Sequence, residues 1–277
     1  MASDAAAFGC NTYSYIRASR ADACVARLAA RGFREFELMV HPGHLWPSSD
    51  KAEGLAELRR VLADHGAVVT TINMPNIDIN VAAAAEGMRK YSLDLVAGAV
   101  RLAGALGAPG VVIGPGKANP LFPADTAELV PHFYAALHVL APLAKACGTA
   151  LWVENMPFAF LPGIDDLTDA LDAYGDDTIG IVYDVANAHF IGEDIGDGLR
   201  RAQPRLKLVH LSDTGRQAYR HDPVGAGTVP FTAIPAMLGE AGYRRRPMLE
   251  IISGNPDSDI AESVQRLCAA GFARAAA

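Results

Sequence analysis

The sequence predicts a single (β/α)8 barrel over residues 1–277. Three observations predict it. Eight short apolar runs alternate with longer amphipathic segments, the pattern of parallel strands joined by crossover helices. The length, 277 residues, suits a barrel, which takes about 250 residues as one domain. The stretch around the first run, FGCNTYSYIRASR, lacks the Gly-x-Gly-x-x-Gly phosphate loop that usually opens a doubly wound sheet.

The expected strands are Ala7–Thr12, Glu35–Val40, Ala67–Asn73, Gly110–Gly114, Ala150–Glu154, Ile179–Asp184, Leu206–Leu211 and Met248–Ile252. Between them lie segments such as LAELRRVLADHG and MRKYSLDLVAGAVRLAGALG, with apolar residues three or four apart and a Gly at the end to stop a helix. ESVQRLCAAGFARAAA is the closing helix. Neither a linker nor a low-complexity tract interrupts the alternation.

Composition narrows the function. Hydrophobic residues are 51% of the chain, enough for a large core. The net charge of −7 argues against a general nucleic-acid or anionic-membrane binder and leaves small polar substrates open. Cys10, Cys24, Cys147 and Cys268 are scattered, which indicates neither a disulfide framework nor a zinc ribbon and fits a reducing cytoplasm. MASDAAAFGC has no signal-peptide character, and no run of about 18 residues is apolar enough to span a bilayer.

Four successive strands end in a residue able to bind a metal. These are Glu154 in LWVENMP, Asp184 in IVYDVANAH, His210 in KLVHLSD and Glu250 in PMLEII. Strand residues alternate between faces, so Trp152 shares a face with Glu154, Val182 with Asp184, Leu208 with His210 and Met248 with Glu250. If those faces point inward, three carboxylates and an imidazole converge at the C-terminal mouth, where barrel enzymes keep their active sites. Clustered carboxylates repel one another unless a cation lies among them, so the cluster predicts one divalent metal ion. The oxygen-rich ligand set favours Mn²⁺, with Mg²⁺, Co²⁺ or Zn²⁺ also compatible.

These motifs together resemble the sugar phosphate isomerase/epimerase family, the xylose isomerase-like barrels that also include endonuclease IV. The resemblance rests on Glu154, Asp184, the HLSD of strand seven, the following His221-x-x-x-Gly225-x-Gly227 and the Leu-Glu of strand eight. It implies that Glu154, Asp184, His210 and Glu250 are the metal ligands. It also implies that Glu154 and Glu250 act as acid and base on a ketose or related polyol ketone, through a metal-stabilised enediolate. A dehydratase or lyase of the inosose or dehydroshikimate type is the alternative, because it shares the first proton abstraction. The endonuclease reading is disfavoured, because INMPN and VIGPGKAN carry no histidine after strands three and four.

The resemblance places His221 against substrate oxygens, with an exposed loop position as the alternative. Where many members have a histidine three residues after the strand-six aspartate, this chain has Asn187, and His189 follows two positions later. Asn187 can hydrogen-bond a hydroxyl but cannot shuttle a proton. His44 and Trp46 are candidates for a wall over a sugar ring. Asn73, Asn76, Lys117 and Asn119 are weaker candidates for polyol contacts, and Glu37 is expected behind the ligands or in a structural role. The expected partner is a small sugar or polyol, and pairing into a homo-oligomer is compatible with the fold.

Overall fold

A computed structural model describes residues 2–47, 52–75 and 78–272. Eight parallel strands form a closed barrel in chain order: β1 (Gly9–Asn11), β2 (Glu35–Met39), β3 (Val68–Asn73), β4 (Gly110–Ile113), β5 (Ala150–Glu154), β6 (Gly180–Asp184), β7 (Leu206–Leu211) and β8 (Met248–Leu249). Closure is made by β8 on β1, with Gly9 opposite Met248 and Cys10 opposite Leu249.

Each expected strand is present, but β2, β3, β4 and β6 are one residue shorter than expected and the first and last are three residues shorter. At the first, the Ala7 and Phe8 amides are taken by Asp4 and Ala5 carbonyls, in the turn that follows helix α1 (Ala2–Ala5). At the last, Glu250 N still reaches Leu211 O, but Ile252 N turns to His221 O in the loop after β7 and leaves the ladder.

The described helices after α1 are α2 (Ala21–Ala29), α3 (Ala52–Asp64), α4 (Glu86–Leu106), α5 (Thr126–Ala146), α6 (Ile164–Tyr174), α7 (Val185–Ile191), α8 (Ile195–Ala202), α9 (Ile234–Glu240) and α10 (Pro256–Ala269). Helix α7 was not expected. It starts directly from β6 because the Asp184 side chain accepts from Asn187 N at 2.7 Å and caps the helix. Gly192, in the left-handed region at φ 86°, ends it.

Alternation along the strands divides the buried apolar residues into two bodies. The larger lies between barrel and helices and includes Leu38, Ile72, Val153, Ile181, Tyr183, Val209 and Leu249. The smaller lies inside the barrel and consists of Val112, Trp152, Val182, Leu208 and Met248. Four of those five are the residues two positions before the candidate metal ligands, so the ligands rest on an apolar floor. The Trp152 ring fits there because β4 begins on Gly110: a Cβ at that position would lie 2.5 Å from the indole. The Arg245 guanidinium stacks over the Trp152 ring at 5.5 Å from its centroid.

Candidate metal centre

The barrel carries the four predicted ligands to one point. Glu154 and Asp184 end β5 and β6, His210 lies on β7 opposite Asp184, and Glu250 follows β8. All four are buried, and each offers one ligand atom such that the four atoms lie within 4.8 Å of one another. His210 Nδ1 is 3.1 Å from Glu154 Oε1, 3.1 Å from Glu250 Oε2 and 3.8 Å from Asp184 Oδ2. Ligands bonded at about 2.0–2.2 Å to one small cation stand about 3–4 Å apart, so these separations fit such an ion.

A second observation supports the fit. Asp184 Oδ2 is buried and makes no hydrogen bond, while Oδ1 of the same carboxylate caps α7. A buried carboxylate oxygen without a partner is costly, and a cation is the partner that would satisfy it. The donor set, three carboxylates and one imidazole, suits a divalent ion of the Mn²⁺, Co²⁺ or Zn²⁺ type.

The electrostatics point the same way. Burial pushes the Asp184 carboxyl up to about 6, the Glu250 carboxylate adds to the rise, and His221 and His210 oppose it. Burial also raises Glu154, against the opposing pull of His210. Burial alone would lower His210, but the Glu37 and Glu250 carboxylates and the hydrogen bonds of Glu154 and Glu250 carry it well above its usual value. A metal at this cluster would therefore compete with protons for the same atoms.

Strands and loops around the four residues fix their orientation. Asn155 exchanges two hydrogen bonds with the Asp184 backbone, and its own carbonyl accepts from Asn187 Nδ2 at 2.8 Å. His210 Nε2 lies 3.2 Å from Glu37 Oε2, on the side of the ring away from Glu154 and Glu250. Asn11 Nδ2 donates to Glu250 Oε1 at 3.2 Å.

A cavity of about 560 Å³ opens above the cluster, and Glu154, Glu250, Asn187, His221 and Asn73 are among its polar lining residues. Met39, Ile79, Val81, Met156, Phe158 and Ile252 supply much of its apolar wall. Asn187 lines the cavity with its Oδ1 buried and unpartnered. His221 also lines it: its Nδ1 is 2.9 Å from Ser212 Oγ, 3.6 Å from Glu250 Oε2 and 3.8 Å from Asp184 Oδ2. The loop that carries His221 closes on Asp213, whose carboxylate accepts from Gly225 N at 2.7 Å and Val229 N at 3.1 Å. Gly227 permits this closure, because a Cβ there would meet Thr214 O at 2.4 Å.

Other sequence candidates lie elsewhere. His44 does not line the cavity: its buried ring bridges Ser19 O at 2.7 Å and Thr12 Oγ1 at 2.9 Å, which leaves no ring nitrogen for a substrate. Trp46 packs on the outer core instead of the cavity wall. His189 sits on α7 with Nε2 2.8 Å from Thr228 Oγ1 and does not line the cavity. Lys117 lines the cavity, Asn119 Oδ1 accepts from Leu121 N and Phe122 N within its own turn, and Asn76 lies outside the described residues.

Sequence reasoning missed Tyr219, Tyr13 and Asn155. Tyr219 lines the cavity with its hydroxyl 2.7 Å from His221 Nε2, and its ring packs edge-on against Phe158. Nothing in the spacing marked it, because its ring partners Phe158 and Phe190 come from other βα loops. Asn155 follows Glu154 directly, and a carboxamide at a strand end was the available signal.

Fold and site together define a (β/α)8 barrel with a candidate divalent-cation centre at the C-terminal ends of β5 to β8. The chain belongs to the xylose isomerase-like TIM barrel family, whose sequence pattern matches residues 25–270. An uncharacterised protein of Methanocaldococcus jannaschii is 25% identical over 222 residues, covering 78% of this chain and 74% of that protein. A D-tagatose 3-epimerase-like protein superposes with a TM-score of 0.82 at 20% identity, covering 95% of this chain and 96% of that one. The 3-keto-D-glucoside 4-epimerase YcjR of E. coli gives 0.79 at 17% identity, covering 95% and 98%. An L-ribulose 3-epimerase gives 0.75 at 22% identity, covering 93% and 86%. At these identities the structural likenesses establish the shared fold. Among the described residues no helix is long and apolar enough to cross a membrane.

Proposed function

We propose that the protein is a metal-dependent isomerase or epimerase of a ketose or related polyol ketone. One observation carries the reading: the two cavity-lining glutamates, Glu154 and Glu250, stand 3.1 Å from the same His210 nitrogen through separate carboxylate oxygens. Glu154, Asp184, His210 and Glu250 would hold the ion, with Mn²⁺ the preferred occupant. A divalent cation in that position supplies Lewis acidity to a carbonyl and its neighbouring hydroxyl, which acidifies the C–H beside them.

The chain's own residues do the rest. One glutamate takes the proton from carbon and the other returns one to the opposite face, giving epimerisation; return at the neighbouring carbon gives isomerisation. Asn187 lines the cavity, and its Oδ1, buried and without a partner, would accept from a substrate hydroxyl after a small shift of the side chain toward the cavity. Its Nδ2 is committed to Asn155 O, which fixes the direction of the acceptor. His221, held at both ring nitrogens by Ser212 and Tyr219, presents its ring to the cavity beside Glu250 and would shape the space around the reacting groups. Met39, Met156 and the other apolar wall residues would limit the water that reaches the reacting carbon.

The test is a screen of Mn²⁺-loaded protein against ketoses, inososes and keto-glycosides in D₂O. The expected product carries deuterium at the carbon beside the carbonyl, and neither Glu154→Gln nor Glu250→Gln turns over. Wild-type turnover in both variants refutes the proton-transfer assignment. A product with a conjugated chromophore would move the assignment to elimination.

A further inference from the structure

Strands β1 to β3 supply a layer of polar side chains directly behind the candidate ligands. At its centre is Glu37 of β2, fully buried and absent from the cavity lining. Four donors converge on its carboxylate. Thr71 Oγ1 at 2.6 Å and His210 Nε2 at 3.2 Å meet Oε2; Asn73 Nδ2 at 3.0 Å and the Asn11 carboxamide meet Oε1. A carboxylate is an acceptor alone, and this one is satisfied on both oxygens.

A buried, satisfied carboxylate is weak evidence of a role in stability. Replacing a buried, hydrogen-bonded charge cluster with well-packed apolar residues is often neutral or stabilising. What an apolar residue could not do is direct His210. The imidazole is held between Glu37 at Nε2 and the ligand cluster at Nδ1. A ring nitrogen that gives its hydrogen to a carboxylate leaves the lone pair of the other nitrogen for a metal. The same layer reaches a second ligand. Asn11 Oδ1 accepts from Tyr13 N at 2.6 Å, and Nδ2 is shared between Glu37 and Glu250 Oε1.

We propose that Glu37 is a positioning residue of the metal centre: it holds His210 as the Nε2–H tautomer with Nδ1 turned to the ion and, through Asn11, steadies Glu250. The inference rests on the metal reading of the site given above. Substrate is out of its reach, so it acts only through the ligands.

Two measurements test this. Mn²⁺ affinity is determined by calorimetry on wild type, Glu37→Gln and Glu37→Asp, with thermal melts in chelator as a check of folding. Glu37→Gln turns an N–H₂ toward two donors and should weaken Mn²⁺ binding about 10–100-fold; Glu37→Asp should recover part of the loss. In parallel, ¹⁵N-histidine NMR of Zn²⁺-loaded wild type should show His210, assigned by its loss in His210→Asn, with hydrogen on Nε2 and metal on Nδ1. A folded Glu37→Gln that binds Mn²⁺ as wild type does overturns the inference. So does a wild-type spectrum with hydrogen on Nδ1, and this arm decides even where Glu37→Gln fails to fold. Failure of wild type to bind any divalent ion would instead refute the metal reading, and this inference with it.

Discussion

Asn155 and Asp184 are joined by two hydrogen bonds across the end of the β5–β6 ladder: Asp184 N donates to Asn155 Oδ1 at 2.7 Å, and Asn155 Nδ2 donates to Asp184 O at 3.1 Å. Asp184 is thereby held by its backbone on one side and by α7 on the other. Asn155→Ala leaves buried backbone groups of Asp184 unpaired. The expected cost is about 1–3 kcal/mol of stability, read by urea unfolding in chelator. Mn²⁺ affinity should fall about tenfold or more in the same variant. Unchanged affinity would mean that this clasp does not orient the ligand.

The floor beneath the site makes a separate prediction. Gly110→Ala places a methyl group 2.5 Å from the Trp152 indole. Neither the ring nor the strand can move without disturbing Val112, Val182 and Leu208. The variant should lose about 1–3 kcal/mol, with altered Trp152 fluorescence. A wild-type melting temperature would show that the floor has slack.

Much of this floor and of the ligand set above it was legible in the sequence. Period-two alternation put Trp152, Val182, Leu208 and Met248 on the faces of Glu154, Asp184, His210 and Glu250, and parallel strands of a barrel bring those faces together. The support from β1 to β3 was not legible in the same way. Asn11, Glu37, Thr71 and Asn73 are isolated polar residues in apolar runs, and only barrel closure sets them behind His210 and Glu250. Loop chemistry was least legible. His44 read as a cavity residue from its place after strand two, but its hydrogen bonds to Thr12 and Ser19 depend on how two loops fold over each other.

Acidity should separate the metal-free and metal-loaded proteins. The Asp184 carboxyl is raised to about 6 by burial, above an unfolded value of about 3.9. In metal-free protein its contribution to stability is fully present below about pH 3.9 and is lost as pH rises through about 6. His210, also raised, contributes stability that is fully present below about pH 6.5 and is lost as pH rises through its higher folded value. A metal requires both groups deprotonated, so its binding strengthens over the same range. The difference in melting temperature between Mn²⁺-loaded and chelated protein should therefore widen from about pH 5 to about pH 8. A constant difference would contradict the ligand assignment.

Asn187 should act on substrate and leave the ion in place. Asn187 lines the cavity, its Oδ1 is buried without a partner, and its side chain makes no direct hydrogen bond to a proposed ligand. Asn187→Ala should raise KM about tenfold, in line with one lost hydrogen bond of about 1–1.5 kcal/mol, at unchanged metal content. Loss of metal in place of substrate affinity would assign Asn187 to the centre itself.

The central claim is that Glu154, Asp184, His210 and Glu250 hold one divalent cation, and calorimetric titration of Mn²⁺ into chelator-stripped protein tests it most directly. The account predicts a single saturable site per chain in wild type, absent from folded Asp184→Asn and His210→Asn. No binding by folded wild type, or undiminished binding by both variants, would contradict it.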